Sequence, residues 1–306
     1  MGKIAFVFPG QGAQYTGMGK DLCESFAEAA EIFKKADSVR PGTSEMCFEA
    51  EKDILSKTAN TQPCMFAVEM AAAAAMEREG IKADVTAGFS LGELAALTYS
   101  GAVSFEEGFE LVCRRGKIMQ AAAEEKDTAM AAVLKLSDGE IESICGEFEE
   151  VYPVNYNCPG QLSVAGSKAE MKAFMLKVKE KGGRAVPLKV SGGFHSPFMD
   201  KASEEFGKCL EKAEIRKPEI QIYSNYTGKV YGENPVEILT RQINNPVRWS
   251  EIIQDMIKNG VDIFVEMGPG NTLSSMIKRI DGGVLAVNVE NTETLNEAVR
   301  LIKERV

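Results

Sequence analysis

Val85-Thr86-Ala87-Gly88-Phe89-Ser90-Leu91-Gly92-Glu93-Leu94 decides the fold. The apolar run at 85–89 reads as a buried strand, and residues 91–100 read as a helix. Gly88 and Gly92 leave room for a sharp reversal between them. A strand, a Gly-x-Ser-x-Gly turn and a helix make a nucleophile elbow. It lifts a serine hydroxyl out of the sheet, above the positive end of a helix. The pentapeptide alone recurs by chance as an ordinary turn. The strand before it and the helix after it give Ser90 its chemical reading.

The pattern extends in both directions. Residues 4–8 form a second apolar run, ended by Pro9-Gly10, and residues 17–36 read as helical. Thr61-Gln62-Pro63 opens a helix with Pro63 in its first turn, where a missing N–H costs nothing. Glu69 is the only charge between Cys64 and Met76, so that helix is expected to be buried on most sides. Residues 106–123 form a helix carrying Arg114 and Arg115. Strands alternating with helices predict a parallel α/β sheet.

The middle of the chain changes character. Strand 130–134, helix 138–148, strands 151–156 and 162–165, helix 168–181 and strand 184–189 follow one another. That order is βαββαβ, the ferredoxin-like pattern. We expect a large α/β body from 1–125 and 192–306, holding a ferredoxin-like insert at 126–191. Beyond the insert come helices near 198–212, 235–243 and 250–259, with strands at 220–224 and 263–267. Gly268-Pro269-Gly270 reads as a turn before a helix from 272, since no Gly-Lys-Ser/Thr follows it to cradle phosphate.

The 306 residues are 44% hydrophobic and 26% charged, a globular composition that can bury a large core. A net charge of −10 argues against generic nucleic-acid binding, which needs a basic field. Seven cysteines without a Cys-x-x-Cys pair read as small hydrophobes in a reducing compartment, with no zinc site. Residues 1–8 are too short an apolar stretch for a secretory leader, and 70–76 is far too short to span a membrane. The expectation is a soluble, cytoplasmic monomer.

A serine of ordinary acidity needs a base. His195 is the only histidine, so any Ser–His pair has one possible partner. A lone histidine is more often structural, but Ser191-Gly192-Gly193-Phe194-His195-Ser196-Pro197 is a breaker-rich loop after a strand, where functional residues gather. A hydrolase triad runs Ser, Asp or Glu, then His. The carboxylates between 90 and 195 fall mostly in the insert's helices, and none stands at the end of a body strand. A dyad steadied by a neutral group is expected.

Phe8-Pro9-Gly10-Gln11-Gly12, Gly88-Phe89-Ser90-Leu91-Gly92-Glu93, Arg115-Gly116-Lys117-Ile118-Met119-Gln120, Asn155-Tyr156-Asn157-Cys158-Pro159-Gly160-Gln161, Phe194-His195-Ser196 and Gly268-Pro269-Gly270 occur in this order. Together they resemble the malonyl-CoA:acyl carrier protein transacylases of bacterial fatty acid synthesis, over nearly the whole chain. The resemblance implies an α/β-hydrolase-like body with a ferredoxin-like insert. It also implies ping-pong transfer of malonyl from malonyl-CoA through Ser90 to the pantetheine thiol of acyl carrier protein, with no metal or redox cofactor.

The resemblance assigns roles residue by residue. His195 is the general base, and the carbonyl of Gln242 orients it. The backbone N–H groups of Gln11 and Leu91 form an oxyanion hole. Arg115 grips the free malonyl carboxylate, and Asn157, Gln62, Met119 and Phe194 line the pocket. Phe194 would crowd a branching methyl. Phe89 departs from the family, which usually has histidine there, and it cannot donate a hydrogen bond. The carrier partner is acidic, so docking needs a local basic face. Lys168, Lys172, Lys177, Lys179, Lys181, Arg184 and Lys189 offer one, or are simply a solvated face. We expect contact near Lys181 and Arg184. A discrete polyketide acyltransferase, or a thioesterase or esterase on the same Ser–His chemistry, are the alternatives.

Overall fold

The computed structural model describes residues 2–305. Met1, where the stretch read for a leader begins, lies outside them, as does Val306. The strands are β1 (Lys3–Phe8), β2 (Val85–Gly88), β3 (Thr128–Leu134), β4 (Val151–Cys158), β5 (Gln161–Ser167), β6 (Arg184–Pro187), β7 (Gln221–Tyr223), β8 (Val261–Met267) and β9 (Leu285–Val289). Among the described residues they form two sheets, β7-β2-β1-β8-β9 and β4-β5-β3-β6.

Every pairing in the first sheet is parallel. Its central strands are buried on both faces, which is why they read as unbroken apolar runs. Phe6 and Phe8 point to one side, against helices Thr58–Arg78 and Phe105–Glu125. Ala5 and Val7 point to the other, toward Trp249, Ile253 and Phe264. The β1 and β2 strands end together, with Phe8 beside Gly88. That shared end presents Pro9-Gly10-Gln11 next to the serine turn.

The second sheet is antiparallel throughout. Val133, Leu162 and Val164 pack there with Ile141, Phe174 and Val178 in a core of their own. Helices Asp138–Cys145 and Lys168–Glu180 supply those last three residues. After β6 the chain runs on through Leu188 and Val190 to His195.

Three local expectations are corrected. The 17–36 stretch is two helices, Lys20–Ser25 and Ala27–Val39, broken at Phe26, whose φ of −127° is extended. The buried helix starts at Thr58, so Pro63 lies past the first turn. Its opening is fixed from outside, because the Ala59 N–H donates to Gln120 Oε1 at 3.0 Å. Strand β9 and helix Thr292–Arg305 add a closing β–α unit that was not expected. Among the described residues no helix is long and apolar enough to cross a membrane.

Glu69 is fully buried in helix Thr58–Arg78, and neither carboxyl oxygen has a hydrogen-bond partner among the described residues. Burial, and next the charge of Glu266, push its pKa well above the ordinary carboxyl range. A carboxyl that holds its proton only when folded makes stability fall as pH rises above its unfolded value of about 4.3. Glu69→Leu should therefore raise the melting temperature, by about 1–3 kcal/mol in stability near neutral pH. The gain should shrink toward pH 4. A thermal melt series across pH checks this, and an unchanged or lower midpoint at pH 8 contradicts it.

Candidate active site

The elbow is sterically dictated. A Cβ on Gly88 would lie 1.9 Å from the Gly92 carbonyl carbon, and one on Gly92 would lie 2.2 Å from the Phe8 carbonyl oxygen. Ser90 itself sits at φ 56°, in the left-handed region that costs a non-glycine residue about 1–2 kcal/mol. His195 does the same at φ 60°. Backbone outliers of this kind cluster where a site must be held in one geometry.

Ser90 Oγ lies 2.7 Å from His195 Nε2, and His195 Nδ1 lies 2.9 Å from the Gln242 carbonyl oxygen. That carbonyl can only accept, so Nδ1 carries the proton and Nε2 is free to take one from Ser90. The third position is held by a neutral acceptor. Burial, and next the Arg115 charge, push His195 down to about 4, while the carbonyls of Gln242 and Asn245 oppose the shift. The His195 imidazole is thus uncharged throughout the neutral range. Acylation kcat/KM should stay flat from about pH 7 to 5 and fall only as His195 protonates, below an ordinary histidine's ~6.5. An inflection at 6.5 in that profile would show that burial does not govern the base.

Arg115 stands on helix Phe105–Glu125 with only 1% of its surface exposed. Its Nη1 donates to Gln62 Oε1 at 2.9 Å. Its Nη2 donates to Gln242 Oε1 at 2.9 Å and to Ser90 Oγ at 3.3 Å. Burial pushes it down to about 10, against the pull of the Glu93 charge, so it remains a cation at neutral pH. It has neutral acceptors and no direct carboxylate partner among the described residues. A buried guanidinium in this state is ready for an incoming carboxylate. Arg114 instead points outward and pairs with Glu110 one turn away.

Ser90 and His195 open on a cavity of about 90 Å³ whose walls include Gln11, Gln62, Phe89, Met119 and Phe194. This is far below the ~300–1,000 Å³ of a drug-sized site and suits a short acyl group. Gln62 Nε2 contacts Met119 Sδ at 3.6 Å, tying two wall residues together. Gln11 is braced through Nε2 to Thr58 Oγ1 at 3.3 Å. The N–H groups of Gln11 and Leu91 have no acceptor among the described residues. Leu91 precedes helix Gly92–Tyr99, and the next two N–H groups, of Gly92 and Glu93, are spent on the Phe89 and Ser90 carbonyls, which leaves that of Leu91 as the open donor at this helix start.

Asn157 is not on that wall. It is buried on β4, donating to Ser163 Oγ at 3.2 Å, and Asn155 lines the cavity instead. The resemblance pointed to Asn157; the β4 register shifts between Pro153 and Asn155 and again between Tyr156 and Cys158. Phe89 turns its ring edge-on to Trp249, centroids 5.6 Å apart, so this wall is apolar. Among the described residues no group of three or more His, Cys, Asp or Glu is placed to hold a metal ion.

Three residues around the pair carried no assigned role. Glu93 and Asn225 are fully buried behind Ser90, and Tyr231 closes the group from outside. A lone carboxylate directly after the elbow was a readable signal for Glu93; nothing local marked Asn225 or Tyr231.

A nucleophilic serine with a buried imidazole base and unspent N–H donors is equipment for acyl transfer. The chain is an acyltransferase and belongs to the acyl transferase domain family, whose profile matches residues 5–295. Its relatives narrow the class. It is 36% identical over 312 residues to the malonyl CoA-acyl carrier protein transacylase of Bacillus subtilis strain 168, covering 99% of this chain and 98% of that one. It is 37% identical over 306 residues to the enzyme of that name from Haemophilus influenzae, covering 97% and 98%. The crystal structure of the Clostridium perfringens malonyl CoA-acyl carrier protein transacylase superposes with a TM-score of 0.96 at 38% identity, covering 99% and 98%. A malonyl-transacylase solved with its holo type II PKS acyl-carrier protein superposes at 0.94 with 34% identity, covering 98% and 99%.

Proposed function

We propose that this enzyme moves a malonyl group from malonyl-CoA to the pantetheine thiol of an acyl carrier protein through a malonyl ester on Ser90. One observation carries the reading. Arg115 Nη2 lies 3.3 Å from the nucleophilic oxygen, and that serine opens on a cavity of about 90 Å³. A malonyl carboxylate on Arg115 leaves its thioester carbonyl, one methylene away, beside Ser90.

Ser90 Oγ attacks that carbonyl carbon while His195 Nε2 takes its proton. The N–H groups of Gln11 and Leu91 receive the developing oxyanion; losing such a donor commonly costs about 100- to 1000-fold. The C–S bond then breaks, and His195 returns the proton to the departing CoA thiolate. The carrier thiol repeats the steps in reverse. Only an acyl group and protons move, so the reaction consumes no metal or redox cofactor. Incubation with malonyl-CoA followed by intact-protein mass spectrometry should show one malonyl adduct. A wild-type enzyme without it contradicts the reading.

The pathway admits a second reading, favoured by the likeness to a malonyl-transacylase solved with a polyketide carrier. The half-reactions are the same. Transfer rates to carrier proteins of the two kinds separate the readings.

Carrier docking is proposed at Lys181 and Arg184. Lys168 and Lys177 are engaged with Asp127 and Glu147. Lys172, Lys179 and Arg184 instead rim an apolar groove floored by Met175 and Leu176, the latter 56% exposed. A basic rim on a chain of net charge −10 suits an acidic partner. The double reversal Lys181→Glu/Arg184→Glu should raise KM for the carrier about 10-fold and leave acylation by malonyl-CoA unchanged. Equal loss in both half-reactions contradicts the docking site.

A further inference from the structure

The buried groups behind the serine form a continuous chain of hydrogen bonds. The Ser90 N–H donates to Asn225 Oδ1 at 2.6 Å, and Asn225 Nδ2 donates to the Gly88 carbonyl at 2.5 Å. One carboxamide thus brackets the turn on both sides of Phe89. It satisfies one donor and one acceptor at the place where Ser90 is held at φ 56°.

Asn225 is anchored in turn. Its own N–H donates to Glu93 Oε2 at 3.1 Å. Tyr231 donates its hydroxyl to Glu93 Oε1 at 2.5 Å. Gln242 Nε2 donates to Glu93 Oε2 at 3.1 Å and to the Ser90 carbonyl at 2.6 Å. These two acceptors decide which way the Gln242 amide faces. With its NH₂ spent on them, Oε1 is turned to Arg115 at 2.9 Å. A flipped amide would set its oxygen against two acceptors and its NH₂ against a guanidinium.

We propose that Asn225 and Glu93 are positioning residues: Asn225 holds Ser90 in its turn, and Glu93, through the Gln242 amide, aims Arg115 at the acyl carboxylate. The second half rests on the malonyl reading above. The buried carboxylate here acts one residue removed from the base, on the groups that hold nucleophile and arginine. The role needs acceptors rather than charge. Burial pushes Glu93 up to about 7 against its three hydrogen bonds, so an amide of the same shape serves as well.

The test is single-turnover formation of the acyl-enzyme from malonyl-CoA and from acetyl-CoA, with thermal melts on every variant. Asn225→Ala should slow acylation from both donors alike, by about 10- to 100-fold, with little change in KM. Glu93→Ala should raise KM for malonyl-CoA and lower the malonyl-to-acetyl ratio about 10-fold. Glu93→Gln keeps an oxygen for Asn225 and Gln242 and turns its NH₂ to Tyr231. It should restore the ratio to within about threefold of wild type. If Glu93→Ala does not fold, Glu93→Asp, one methylene short of Gln242, must lower the ratio in its place. An unchanged ratio in the folded variant overturns the Glu93 half, and Asn225→Ala at the wild-type rate overturns the Asn225 half. A wild-type enzyme that takes up acetyl as readily as malonyl sinks the malonyl reading, and the Glu93 half with it; the Asn225 half stands or falls on its own variant.

Discussion

Ser90→Ala is expected to form no malonyl-enzyme at all and to lose transfer by about 10⁴- to 10⁶-fold. Among the described residues the hydroxyl is the one group hydrogen-bonded to His195 Nε2, at 2.7 Å. The substitution leaves the glycines of the elbow, the bond from the residue-90 N–H to Asn225, and Arg115 in place. Malonyl-CoA should still bind, and direct attack by the carrier thiol gains only what binding and the oxyanion donors supply. Calorimetry should give a near-wild-type dissociation constant beside a missing mass adduct. An adduct undiminished on Ser90→Ala would move the nucleophile elsewhere.

The second large effect belongs to Arg115. Arg115→Gln should cut malonyl acylation by about 10³- to 10⁴-fold while acetyl acylation changes far less, so that the preference collapses or reverses. A buried guanidinium with no direct carboxylate partner is costly to leave facing an acetyl methyl, and that cost is expected to set the selection. With a neutral amide at 115, neither the penalty for acetyl nor the gain for malonate remains. Arg115→Lys should not rescue fully, because an ammonium cannot form two parallel bonds to a carboxylate. Competition between the two CoA esters, read as acyl-enzyme, checks this. An unaltered ratio in Arg115→Gln would detach the arginine from substrate choice.

The elbow was legible because everything that makes it is local: an apolar strand, two glycines with no room for a Cβ, and a helix. The βαββαβ order was legible from period alone, and the strands pair antiparallel as β4-β5-β3-β6. The hydrogen bonds that position the site are not local. Asn225 reaches Ser90 across 135 positions, and Gln242 reaches it across 152. No spacing rule connects such residues. Asn155, which lines the cavity, was not singled out in the sequence, where the resemblance pointed to Asn157. Phe89 was legible as a departure but not as a fit, because its partner Trp249 arrives from a distant helix. The closing helix is different. Leu295, Ala298, Val299 and Ile302 form a readable stripe, and local periodicity alone suffices to add it.

The neutral carbonyl behind His195 has a consequence for which nucleophiles the acyl-enzyme will accept. A base pushed down to about 4 and leaning on an amide oxygen is feeble. A thiol, with a reference acidity near 8.5, gives up its proton to such a base far more readily than water, near 15.7. Ser90, an acid about as weak as water, overcomes this by being held 2.7 Å from Nε2. Against the stored ester a thiol is therefore expected to compete better than a free water, and the acyl group to outlast the wait for its carrier. The measure of that competition is free malonate released per malonyl group transferred.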